Sequence, residues 1–134
     1  TAVVGLTAQG DLVRAQHRDT KNQLVGTPAD RMRLTAIGRP PVSDHFEKLE
    51  FRISTDFVGK QTRVNPDYDT APPPDGYVLL GGSIEATFGK KRTIIVGLEG
   101  RNLLNASYRD YSSLLRYYAD QPGRDIRIRL GTDF

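Results

Sequence analysis

His45–Val58 reads HFEKLEFRISTDFV, and its pattern decides the local geometry. Leu49, Phe51, Ile53 and Phe57 fall on one parity; Lys48, Glu50, Arg52, Ser54 and Asp56 fall on the other. Successive side chains of a strand point to opposite sides of the pleat, so period two is strand geometry. The alternation recurs along the chain. From Ala2 to Gln16, Ala2, Val4, Leu6, Ala8 and Leu12 oppose Gly5, Thr7, Gln9 and Asp11. From Asp30 to Gly38, Met32, Leu34 and Ala36 oppose Arg31, Arg33 and Thr35. GYVLLGGSIEATF (76–88) sets Val78, Leu80, Ile84, Ala86 and Phe88 against Ser83, Glu85 and Thr87. RTIIVGLEGRN (92–102) sets Ile94, Val96 and Leu98 against Thr93, Gly97, Glu99 and Arg101. The closing GRDIRIRLGTDF (123–134) sets Ile126, Ile128, Leu130 and Phe134 against Arg127, Arg129, Gly131 and Asp133. The expectation is an all-β chain, an antiparallel meander of about six strands.

With 134 residues there is enough chain for one domain, yet only 37% of it is apolar, below the usual globular share. The mean hydropathy of -0.48 agrees. Two architectures tolerate this: a soluble sandwich, and a membrane barrel in which one residue in two faces lipid. A net charge of +3 from 19 basic and 16 acidic residues is too even to argue for nucleic acid. The longest basic run, Lys90-Lys91-Arg92, suits a tight surface turn. Cysteine is absent, which excludes disulfides and thiolate metal sites. No stretch approaches the roughly 20 apolar residues of a membrane helix. TAVVGLTAQGD has neither the basic start nor the cleavage pattern of a signal peptide, and it opens in mid-pattern, as expected of a piece of something longer.

The connections alternate in length. Residues 17–29, 59–75 and 103–122 are long and polar; 39–44 and 89–91 are short. Pro66 and Pro72 to Pro74 exclude regular structure from the second long one. Long loops at one end and short turns at the other are the rhythm of a membrane barrel. Six strands are too few to close around water, since about eight are needed merely to enclose packed side chains. An apolar face that meets lipid therefore implies a larger barrel.

Several motifs now converge. Asn102-Leu103-Leu104-Asn105 closes the fifth strand, Tyr108-Arg109-Asp110-Tyr111 opens the last loop, Pro122-Gly123-Arg124 precedes the last strand, and Phe134 ends it. With PDGYVLLGGSIEATF upstream, the region from Asp75 to Phe134 resembles the C-terminal end of TonB-dependent outer-membrane receptors; residues 1–74 share only the strand rhythm. The resemblance implies that residues 1–134 are the last part of a transmembrane β-barrel of about 22 strands, located in a bacterial outer membrane. It implies uptake of a scarce nutrient such as an iron chelate, haem, cobalamin, a metal or a glycan. The implied partners are the receptor's own plug domain, its remaining strands, the TonB complex reached through the N-terminal part, membrane lipid and the barrel-assembly machinery. Ile128, Leu130 and Phe134 would form the assembly signal, Phe134 being at the least the last lipid-facing or core side chain. The long connections would face the exterior and the short ones the periplasm.

For ligand contact the last loop is richest, with Tyr108, Arg109, Tyr111, Arg116, Tyr117 and Tyr118. Aromatic and arginine side chains are common anchors; the plainer reading packs them onto the loop and the barrel rim. Tyr111, Leu114, Leu115 and Tyr118 fall at helical spacing, so a short helical turn is expected there. Arg52, Glu85, Glu99, Arg127 and Arg129 would face the lumen, holding the plug or lining a hydrated path. No catalytic constellation is visible: Ser112 and Ser113 have no nearby histidine, and there is no nucleophile turn. His17 and His45 fall at opposite ends of strands, and Asp67, Asp69 and Asp75 fit no calcium loop and read as solvated. Gly81-Gly82 suggests a bend or a close approach. The expectation is a non-enzymatic transport protein without a cofactor. The alternative is a soluble all-β module that binds sugar or peptide through loop 103–122.

Overall fold

A computed structural model describes residues 1–43, 46–89 and 93–133. His45, the Lys90-Lys91-Arg92 turn and Phe134 lie outside the described residues. Six strands form one antiparallel sheet in sequence order: β1 (Val3–Asp11), β2 (Arg31–Arg39), β3 (Lys48–Val58), β4 (Tyr77–Phe88), β5 (Thr93–Arg101) and β6 (Asp125–Asp133). The sheet is open, with β1 and β6 as its edges.

The register carries the alternation across the sheet. Val4, Gly38, Phe51, Ile84, Leu98 and Ile128 stand side by side, and so do Leu6, Ala36, Ile53, Gly82, Gly100 and Ile126. One face is thus apolar but for Thr55 and Thr132. The other carries Arg33 beside Asp56, Arg52 beside Ser83, and Glu99 beside Arg127. The apolar face is bare: Leu6 is 81% exposed and Ile128 74%.

Burial lies elsewhere. Among the described residues the buried ones are Thr27, Ala29, Gln61, Asn65, Asn102, Tyr111 and Arg116, all in or next to the long connections. A meander places those three connections at one end of the sheet, where they form a layer. The expected first strand is shorter than its pattern, ending at Asp11 instead of running on to Gln16. Beyond it Arg14 turns to Asp30, with contacts of 2.6 and 3.0 Å, and Gln16 bridges Gln23 in a small hairpin of its own. These polar contacts outcompete the alternation, and Leu12 leaves the sheet.

The Asp75-Gly76-Tyr77 step has a steric cause. A Cβ on Gly76 would stand 2.8 Å from the Val58 carbonyl oxygen and 3.0 Å from the Lys60 nitrogen, both backbone atoms. Only glycine lets β4 begin so close to the end of β3. Gly81 and Gly82 are also close approaches, with Cβ positions 3.2 Å from Ser54 Oγ and from the Arg52 carbonyl oxygen, and β4 runs through them. Gly76→Ala is expected to cost about 1–3 kcal/mol in denaturant unfolding of the chain in detergent micelles. Gly10→Ala, whose Cβ meets nothing within 4 Å, serves as the near-neutral control. Equal midpoints for the two variants would refute the steric account.

Candidate functional site

The loop layer is held by a buried acid. Asp69 sits in the connection between β3 and β4, where Asn65 orders a turn: the backbone N–H of Tyr68 and Asp69 donate to its carbonyl, and that of Asp67 to its side-chain oxygen. Asp69 Oδ2 accepts from the Tyr111 hydroxyl at 2.7 Å, and Oδ1 accepts from the Tyr117 hydroxyl at 3.1 Å and from Arg116. The Arg116 guanidinium lies 4.4 and 4.3 Å from the ring centres of Tyr111 and Tyr117. The side chains of Asp69 and Arg116 are each only 2% exposed. Residues far apart in sequence thus clamp two loops together.

Neighbouring contacts extend the layer. Gln61, 1% exposed, donates to the Thr27 carbonyl at 2.7 Å and accepts from the Arg63 backbone at 2.9 Å. Arg63 reaches Asp30 at 2.9 Å, so Asp30 is shared with Arg14. Tyr108 packs on Tyr77 with ring centres 4.4 Å apart, and Arg109 binds Asp120 at 2.7 Å and the Arg116 carbonyl at 2.9 Å. Ser113 caps a single 3-10 turn, Leu114–Tyr117. The motifs of the last loop acquire physical roles here. Asn102 and Asn105 hold positive φ angles of 46 and 53°, conformations that asparagine tolerates. Asn102 exchanges hydrogen bonds of 2.9 Å with Ala106, and Asn105 accepts from the Arg124 backbone at 3.0 Å. The two asparagines close the base of the loop.

Burial opposes ionisation of Asp69, but the hydrogen bonds from Tyr111 and Arg116 outweigh it and hold the carboxyl below the ordinary 3.8. Burial, then the Asp69 carboxylate, pushes the Tyr111 hydroxyl up to about 12. The expected helical turn is present, but the side chain it buries is Arg116, while Leu114 and Leu115 face out. Of the six candidate contacts, Tyr111 and Arg116 turn inward, Tyr108 and Tyr117 are half-buried, Arg109 is tied to Asp120, and Tyr118 is 86% exposed. Only Asp67 and Asp75 of the three loop aspartates are exposed; Asp69, read as solvated, is instead the centre of the clamp. His17 Nδ1 accepts from the Asp19 and Thr20 backbones at 3.4 Å, and among the described residues no group of three potential metal ligands occurs.

The five candidate lumen residues share the polar face, in a trough of about 820 Å³. Each has a charged partner: Arg52 with Glu50, Glu85 with Arg129 and Lys48, Glu99 with Arg101, Arg127 with Asp125. Ile128 and Leu130 stand exposed on the opposite, apolar face of β6. No protein-family model, curated protein or solved structure matches the chain.

Asp69→Asn leaves Arg116 as a buried charge without its counterion, and a loss of about 3–5 kcal/mol is expected. Replacing both, with Arg116→Met, should restore most of it. The pH dependence follows from the two shifts. The lowered Asp69 contributes stability fully present above pH 3.8 and lost as pH falls through its lower folded value. The raised Tyr111 contributes stability fully present below pH 10.0 and lost as pH rises through about 12. Absorbance titration of the tyrosines should show a late phenolic phase, to which Tyr108, raised by burial, also contributes, and this phase should lose one tyrosine's amplitude in Tyr111→Phe; an unchanged late phase would contradict the clamp.

Proposed function

We propose that this chain is the closing part of a TonB-dependent outer-membrane receptor barrel, a non-enzymatic transporter that admits a scarce nutrient. One observation carries the reading: among the described residues the apolar face of the sheet is largely uncovered, with Leu103 reaching over Gly82 and Gly100. Five interstrand steps of about 4.8 Å and strands of nine residues at about 3.3 Å give a face of roughly 700 Å². The largest apolar patch on a typical soluble monomer is about 300–600 Å². Lipid against this face and water against the charged one would satisfy both parities at once. The long connections at one end and the short ones at the other fit an exterior rim and periplasmic turns. In this reading β1 and β6 pair with further strands of the barrel, and a plug domain fills the lumen. TonB acts on that plug, and the last strand addresses the assembly machinery through Ile128, Leu130 and Phe134. The nutrient is an iron chelate, haem, cobalamin, a metal or a glycan, met first by the exposed parts of loop 103–122.

The decisive substitution is Leu98→Arg, between Ile84 and Ile128 on the apolar face. A lipid-facing position at mid-depth should lose about 2–4 kcal/mol, measured by unfolding from bilayers. The same substitution on a face left uncovered in water should change stability by no more than about 0.5 kcal/mol. In fractionated source cells, an antibody to loop 103–122 should find a heat-modifiable outer-membrane band several times larger than 14.9 kDa. A soluble band near that mass would sink the transporter reading in favour of a free-standing binding module.

A further inference from the structure

The polar face is not evenly charged. Glu50 and Glu85 stand directly opposite each other on β3 and β4, an unfavourable pairing unless cations intervene. Four do. Glu50 accepts from Arg39 at 2.8 Å and Arg52 at 3.0 Å, with Lys48 at 3.3 Å. Glu85 meets Arg129 at 2.5 Å and Lys48 at 3.7 Å. Elsewhere on this face the pairs are one to one: Arg33 with Asp56, Arg101 with Glu99, Arg127 with Asp125. Among the described residues of this face, this cluster alone carries twice as many cations as anions. Its layering is equally lopsided. The Glu50 side chain is 12% exposed, whereas that of Arg129 is 71% exposed, so the carboxylates form the floor and the cations stand above them.

Gly97 makes the reach of Arg129 possible. Glu85, Gly97 and Arg129 are neighbours on β4, β5 and β6. A Cβ on Gly97 would lie 3.8 Å from Arg129 Nε, so the arginine stem lies across the gap left by the missing side chain. An arginine has five N–H donors, and Arg52 and Arg129, which line the trough, use only Nη2 on these carboxylates.

We propose that this part of the polar face is a docking surface for a protein segment bearing at least two carboxylates. The inference rests on reading the polar face as the inner wall of a barrel, and it assigns the chemistry of what lies against that wall. The charge count selects a partner with at least two carboxylates: Arg39, Lys48, Arg52 and Arg129 converge from β2, β3 and β6 on Glu50 and Glu85, which leaves two positive charges unbalanced.

The test uses the whole chain in non-ionic detergent micelles with a fluorescent oligoglutamate peptide, oligolysine and inorganic phosphate as probes. Oligoglutamate should bind, weaken with salt and bind on the order of tenfold more weakly to Arg39→Gln/Arg129→Gln, at about two- to fivefold per cation. Arg101→Gln, from an evenly paired site, should bind as the parent does. Far-ultraviolet circular dichroism must show the sheet retained in each variant, and salt dependence of the parent provides a readout that needs no substitution. Equal binding of oligolysine, equal loss in Arg101→Gln, no binding of oligoglutamate, or displacement by phosphate at matched charge would each overturn the proposal. The cell fractionation above separates the two failures: an outer-membrane band without peptide binding removes only the acidic partner, and a soluble band removes the inner wall itself.

Discussion

The apolar face of the sheet is the constraint on which everything else turns. Fully burying a large aliphatic or aromatic side chain contributes about 1.5–3 kcal/mol, and here that contribution is available on six strands and realised only in part by the protein's own atoms. A second sheet, a second copy or lipid would supply it. The opposite face rules out a buried sheet of the parallel kind, because it offers carboxylates and guanidiniums in most of its rows. A membrane with water behind it is one environment in which neither face is frustrated.

With its apolar side chains turned outward, the chain places its buried groups in the loops, and those groups are mostly polar. Such burial is stable only when each group is satisfied, and among the described residues the loop layer meets the requirement by cross-linking itself at all but two buried side-chain atoms, Arg63 Nε and Arg116 Nη1. Asp69 draws on Tyr111, Arg116 and Tyr117; Gln61 joins the backbones of Thr27 and Arg63; Asn102 spans the base of the last loop. The Nη1 atom of Arg116 has no hydrogen-bond acceptor, but the guanidinium lies over two tyrosine rings, whose faces stabilise a desolvated cation.

The sheet was legible in the sequence because period two is a local property: each strand declares its own two faces, and a meander needs only neighbours. The ends of strands were less legible. Leu12 continues the alternation of β1, yet nothing local reveals that Arg14 will find Asp30. The clamp was hidden for the same reason at longer range. Asp69 lies among prolines and other aspartates and resembles any solvated loop acid; its partners come from a loop beyond two further strands. The tyrosines of the last loop drew attention as ligand contacts, and composition alone does not distinguish an aromatic facing a ligand from one gripping a neighbouring loop.

Loop layer and sheet also depend on solvent differently. The clamp is an ion pair shielded by its own rings, so salt and detergent act on it weakly. The sheet relies on whatever covers its apolar side, and its stability varies with that medium. The two should therefore loosen separately: denaturing the environment of the sheet exposes strands before it opens the Asp69 clamp, and breaking the clamp frees loops without disturbing the register of β1 to β6. Arg116 makes the connection between stability and access explicit. Because its guanidinium is fixed inward, the turn that carries it presents Leu114, Leu115 and Tyr118 outward, so the interaction that closes the loop layer also determines which side chains it offers to the outside.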